Sequence, residues 1–228
     1  MSATPLPATE VQLHPLGRRV MHWINAIAII IMIGSGWRIY DSSPVLPIDF
    51  GFPYSYTIGG DAPLSEALHN EDGLANALAW HFAAMWVLVV NFLIYLVVGF
   101  ASGHFRRDFL PLRVSAFIHD LGAALRFKLD HHLGRYNAVQ KLFYWGVLAA
   151  VAVQILSGLA IWKPSQLKEL TWLLGGYDFA RVVHFLGMGA IVGFLLVHVA
   201  LTILVPKTLV AMVTGRASST PHPKGAKR

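Results

Sequence analysis

The chain has 228 residues, 55% of them hydrophobic and 13% charged, a balance too apolar for an ordinary water-soluble domain, so the bilayer is the expected solvent. It has no cysteine, which excludes thioether-attached haem, iron–sulfur clusters and thiolate zinc sites and leaves 11 histidines as the good soft-metal ligands present in number. The formal charge of +6 comes from basic clusters set between apolar runs, without the patch of a nucleic-acid binder, so no nucleic-acid partner is expected.

In chain order, residues 1–19 read as a polar tail with no apolar stretch of the signal-peptide kind before Leu16. Four uncharged runs follow at 20–37, 78–100, 142–162 and 182–205, each close to the roughly 20 residues a helix needs to cross the hydrocarbon. Four such runs in one short chain leave no polar face for water, so they are not the buried helices of a soluble core. Trp23, Trp37, Trp80, Trp145 and Trp162 lie near the ends of these runs, where indole prefers the lipid interface. The segment from Arg38 to Ala77 is rich in proline, glycine and aromatic residues and reads as an ordered outer loop. Leu112, Phe117, Leu121, Leu125 and Leu129 recur at near-helical spacing among Arg113, Arg126 and Lys128, the pattern of an amphipathic helix on the cytoplasmic membrane surface. Residues 207–228 form a second tail, expected to be disordered after Thr214. The expected fold is therefore all-α and integral to the membrane, a four-transmembrane-helix bundle over residues 20–206.

Fourteen of the 18 lysines and arginines fall before the first run, between the second and third, or after the fourth; only Arg38, Lys163, Lys168 and Arg181 fall on the other side. The positive-inside rule then puts both termini in the cytoplasm, as a multi-pass protein of a bacterial inner membrane.

Seven histidines (His14, His69, His104, His119, His131, His132 and His222) lie outside the runs or at their ends and read as surface residues. His22, His81, His184 and His198 lie inside them, where an ionisable side chain is costly and marks a functional site. The alternating helix directions place His22 and His198 at the inner level and His81 and His184 at the outer one. His184 and His198 are 14 residues apart, close to four whole turns and roughly 21 Å of helix, so both project from one face. Two level-matched pairs on facing helices are what bis-imidazole haem ligation needs. Gly34, Ser35, Gly36, Ser157, Gly158, Gly187, Gly189 and Gly193 supply small side chains where helices must approach or admit a flat macrocycle. Arg38 is placed to hold a haem propionate, with snorkelling to lipid phosphate as an equally cheap reading. Asn25 and Gln154 read as interhelical hydrogen-bond donors.

These residues carry a resemblance to the bacterial cytochrome b561 and nickel-hydrogenase b-type cytochrome family, which includes the membrane subunits of formate dehydrogenase and thiosulfate reductase. It rests on His14-Pro15-Leu16-Gly17-Arg18-Arg19-Val20-Met21-His22-Trp23, on Trp80-His81, on Gly134-Arg135-Tyr136-Asn137-Ala138-Val139-Gln140-Lys141 and on the two histidines 14 apart. The resemblance implies two b haems with the same pairing and quinone exchange near one of them. It makes Asn137 and Gln140 candidate quinone contacts; helix capping is the alternative for Asn137. It further implies electron transfer between quinone and a periplasmic redox enzyme of molybdenum-cofactor or hydrogenase type. Two other functions stay open: a stand-alone quinone oxidoreductase acting on a small oxidant or reductant such as superoxide, and a haem-free, histidine-lined transporter or channel. Oligomeric state is likewise open, a homo-dimer included.

Overall fold

The structure is a computed structural model that describes residues 9–12, 14–47, 73–110, 114–125 and 137–219. Seven α-helices and two short strands make up these residues, together with one π-helical turn. In chain order they are β1 (Thr9–Gln12), α1 (Leu16–Ser42), α2 (Gly73–Ala101), the π turn (Phe105–Phe109), α3 (Val114–Leu125), α4 (Ala138–Trp162), α5 (Lys168–Leu173), α6 (Tyr177–Leu204), α7 (Pro206–Thr214) and β2 (Arg216–Ser219). Four of the helices, α1, α2, α4 and α6, are long and apolar enough to cross a membrane. They are the four runs found in the sequence, lengthened at most of their ends. Hydropathy stops at Trp37 in α1, for example, but the backbone stays helical through Arg38, Tyr40 and Asp41 to Ser42, because interfacial water solvates polar side chains without disturbing the helical hydrogen bonds. Large apolar side chains point outward along these helices, with Val97, Leu196 and Ile203 each about two-thirds exposed, as lipid-facing residues are.

The chain forms two compact units, one of residues Met1–Trp23 with Leu196–Arg228 and the other of Ile24–Leu195. In the larger unit the four long helices meet in a core of Phe92, Val151 and Ile191, flanked by Ile29, Leu96, Leu148, Ala150, Ala152 and Ile155. A hydrogen bond of 2.8 Å from Asn91 Nδ2 to Asn25 Oδ1 joins α1 to α2, so Asn25 makes an interhelical bond as its acceptor and not as the donor expected. The Gln154 Oε1 is buried with no hydrogen-bond partner among the described residues, pressed against α6 where Gly187 leaves room. The π turn folds back under the end of α2 and stacks Phe109 on Tyr144, ring centroids 3.6 Å apart. This fold-back buries His104 edge-on against Phe109, so His104 is a core residue and not the surface histidine its position suggested. At the other end of α4, Thr171 of α5 donates to the Ala160 carbonyl at 3.3 Å, and the chain reverses into α6 through Gly175 and Gly176, both at positive φ.

In the smaller unit β1 and β2 pair antiparallel, Thr9 opposite Ser219 and Gln12 opposite Arg216. Residues 216–219, expected to be disordered, are thus held by backbone bonds to a strand more than 200 positions earlier. Helix α7 starts with Pro206 and ends at Gly215, whose φ of 85° forms the left-handed cap. The Arg19 side chain donates to the Val213 carbonyl and, at 3.3 Å, to that of Met212, tying α1 to the end of α7. Helix α3 covers the middle of the segment expected to form an amphipathic helix; the outer loop beyond residue 47, and His69, His131, His132 and His222, lie outside the described residues.

Candidate functional site

Both predicted histidine pairs are found, one in each unit. In the larger unit His81 of α2 faces His184 of α6 with ring centroids 6.3 Å apart and planes at 64°. In the smaller unit His22 of α1 faces His198 of α6 at 6.1 Å and 59°. These separations are too wide for ring stacking. They match a metal held in line by two imidazoles: two metal–nitrogen bonds of about 2 Å plus two ring radii give roughly 6.2 Å between centroids. Among the described residues no group of three or more His, Cys, Asp or Glu is placed to share a metal, so each pair brings two protein ligands. A haem, whose macrocycle supplies the four equatorial nitrogens, fits that donor set, whereas a bare ion would be left short of ligands.

The His81–His184 pair is held from behind by a repeated device. Ser35 of α1 is fully buried and its Oγ lies 3.0 Å from His81 Nδ1; Ser157 of α4 is equally buried, with Oγ 2.9 Å from His184 Nδ1. Each hydroxyl has a single proton, and each donates it one turn back, Ser35 to the Ile31 carbonyl at 2.7 Å and Ser157 to the Val153 carbonyl at 2.6 Å. The serine oxygens therefore accept from the rings, Nδ1 carries the proton on both histidines, and Nε2 is left as the free lone pair that a metal requires. Each serine is followed by a glycine against which the ring edge rests. A Cβ on Gly36 would come 3.4 Å from His81 Cε1, and one on Gly158 would come 3.2 Å from His184 Cε1. At Gly189 and Gly193 an added Cβ would meet nothing within 4 Å, so these two do not serve close helix packing.

Around the pairs, Phe82 and Trp86 pack on Trp162 beside His81, and Tyr40 stacks on Phe185 beside His184. Trp23 sits edge-on to His22 at 5.4 Å. Arg38 directs Nη1 to Ser42 Oγ, 3.1 Å away and one turn further along α1. Asn137 and Gln140 form a reciprocal cap at the start of α4: the Gln140 amide donates to Asn137 Oδ1 at 2.8 Å and the Asn137 amide to Gln140 Oε1 at 3.1 Å. Asp120 of α3 joins them, its Oδ2 accepting from the Ala138 amide at 2.9 Å, and this bond and His119 hold its carboxyl below the usual range. The cap engages the two side-chain oxygens and leaves both amide NH2 groups out of it. Two features escaped the sequence reading. Arg181 appeared there only as a charge, but it donates to the carbonyl of Ser43 at 2.6 Å and to its Oγ at 2.8 Å, joining the start of α6 to the end of α1. The serines appeared only as small residues, although the same Ser-Gly dipeptide occurring in two spans was a legible sign of a shared role.

The sequence profile described as prokaryotic cytochrome b561 matches residues 13–215, nearly the whole chain and both histidine pairs. The chain belongs to the prokaryotic cytochrome b561 family. It is a multi-pass membrane cytochrome of the electron-transfer type that carries b-type haem. Among individual proteins it is 47% identical over 204 residues to a putative protein-methionine-sulfoxide reductase subunit YedZ1 of Azospira oryzae, covering 89% of this chain and 96% of that one. A probable Ni/Fe-hydrogenase B-type cytochrome subunit of Bradyrhizobium diazoefficiens is 26% identical over 199 residues, with 79% and 73% covered. The cytochrome b556(fdo) subunit of an Escherichia coli formate dehydrogenase is 22% identical over 201 residues, with 88% and 82% covered.

Proposed function

We propose that this cytochrome b561-family chain binds two haems, one between His81 and His184 and one between His22 and His198, and passes electrons across the inner membrane between quinone and a periplasmic oxidoreductase. The observation that carries the haem count is the centroid separation, 6.3 Å in one pair and 6.1 Å in the other, both fitting an in-line bis-imidazole centre. When bound, each haem supplies one-electron exchange at its iron. The chain's own residues do the rest. His81 and His184 present Nε2 lone pairs with their rings fixed by Ser35 and Ser157, and His22 and His198 form the second pair. Both termini are cytoplasmic by the distribution of basic residues, which sets the His81–His184 centre on the periplasmic side and the His22–His198 centre on the cytoplasmic side.

Quinone exchanges at the start of α4, where the NH2 groups of Asn137 and Gln140 are donors suited to quinone oxygens. Arg38, at the outer end of α1, is the candidate partner for a haem propionate. The extent of similarity to the methionine-sulfoxide reductase subunit favours one class of partner, a periplasmic enzyme that reduces protein-bound methionine sulfoxide. That reaction takes two electrons and two protons per sulfoxide and yields the thioether and water. Electrons would accordingly run from quinol to the partner.

The test begins with haem extracted from the purified chain: two b haems per polypeptide are expected, and none would end the proposal. His184→Ala should remove one spectral component and His198→Ala the other; loss of both in each variant, or of neither, contradicts the pairing. Reduced quinol should then drive sulfoxide reduction by a co-purified periplasmic enzyme. Quinol oxidation by superoxide in the absence of any partner would instead establish the stand-alone reading.

A further inference from the structure

We propose that Ser35 and Ser157 are positioning residues that set the reduction potential and the ligand-plane angle of the centre held by His81 and His184. This rests on the haem reading above and extends it to two residues that touch no haem iron themselves.

The two serines come from different helices, α1 and α4, and each meets a histidine from another helix, yet they repeat one geometry. In both, the hydroxyl donates to the carbonyl four residues back and accepts from the histidine Nδ1. In both, the following glycine supports the Cε1 edge of the ring. A ring held at Nδ1 and along the adjoining edge is limited in its rotation about the axis through Nε2. The angle between the two imidazole planes, 64° here, is thus built into the helices and not left to the cofactor. The hydroxyl is also a better acceptor for having given its own proton to a carbonyl, because hydrogen bonds in series polarise one another. Donation from Nδ1–H makes the imidazole a stronger electron donor at Nε2, which favours ferric over ferrous iron and lowers the potential.

The test uses the full-length chain in detergent or native membranes, with Ser35→Ala, Ser157→Ala, Ser35→Thr and Ser157→Thr. The readouts are haem per polypeptide, redox titration of each haem, and the low-spin ferric EPR signal, whose largest g value follows the angle between the imidazole planes. Each alanine variant should raise the potential of the His81–His184 centre alone. A ferrous-to-ferric ratio increased by about tenfold at a given ambient potential, or about 59 mV for one electron, is expected. The EPR signal of that centre should shift, the His22–His198 centre should be unchanged and serve as the folding control, and threonine should restore both properties. Two haems with wild-type potentials and spectra in both alanine variants would overturn the role of the serines and leave the haem reading intact. No haem in the unsubstituted chain would instead remove the haem reading itself. Should an alanine variant lose both haems, the threonine variant decides: two haems at wild-type potential support the role, and a shifted potential despite the retained hydroxyl overturns it.

Discussion

Replacing Gly158 by alanine adds one methyl group 3.2 Å from His184 Cε1 and 3.7 Å from its Nδ1. Ordinary carbon contacts sit at about 3.5–4.0 Å, so the ring must retreat by a few tenths of an ångström. It cannot do so freely, because Ser157 holds Nδ1 at 2.9 Å and is itself held at 2.6 Å to Val153. Overpacking of this kind costs about 1–3 kcal/mol, while the better helix propensity of alanine returns about 1 kcal/mol. The net cost is about 0–2 kcal/mol, so thermal stability alone does not report on the ring. The ligand geometry has no such compensation. Reduced-minus-oxidised spectra and a redox titration of the Gly158→Ala chain should therefore show a displaced His81–His184 centre whatever the small change in melting temperature. Gly36→Ala is the matched control: there the added carbon stands 3.4 Å from His81 Cε1, at the near edge of ordinary contact, and the same measurements should change less. Equal shifts in the two variants, or a shift confined to the His22–His198 centre, would refute this account of the ring's support.

At the start of α4, Asn137→Asp keeps the oxygen that caps Gln140 but removes the amide donor. If Asn137 meets quinone, helix stability should hold while the KM for quinol rises; an unchanged KM would confine Asn137 to capping. Asn137→Ala removes the cap as well and should cost about 1 kcal/mol in thermal or denaturant unfolding. Asp120 accepts from the Ala138 amide and its folded pKa is depressed, so its contribution is present above the unfolded value of 3.8 and is lost as pH falls through the lower folded pKa. Hydrogen exchange at Ala138 should accordingly be slow at neutral pH, faster in Asp120→Asn, and faster in wild type only in strongly acidic buffer. Asn25→Ala deletes the 2.8 Å bond from Asn91 and should destabilise the chain by about 0.6 kcal/mol, up to about 1.7, as measured by unfolding in mixed micelles.

The four spans and the four histidines were legible in sequence because both follow from energies that act on single residues: an uncharged run belongs in hydrocarbon, and a histidine there needs a reason. Pairing by depth was legible because helix rise is fixed. What was not legible depends on which side chains meet. His104 looked like any histidine at a helix end, and only the π turn, which brings Phe105 and Phe109 back against α4, buries it. Ser35 and Ser157 carry no signal in hydropathy, since a serine that back-bonds to its own helix is cheap in a span whatever it touches. The pairing of Arg216–Ser219 with Thr9–Gln12 was equally hidden, because a short polar strand is specified by its partner and not by its own composition.

That pairing bears on the order in which the protein is made. The small unit draws on residues Met1–Trp23 and Leu196–Arg228, so His22 enters the membrane with the first span and His198 with the fourth. The ribosome must deliver α6 and α7 before Arg19 can reach Met212 and Val213, and α6 before His22 has its opposite number. In biogenesis the His22–His198 pair is thus a checkpoint on the fourth span. A chain stopped before α6 ends can insert its first three spans and never bring these two rings together, so on the proposed two-haem reading acquisition of that haem reports that synthesis has passed α6.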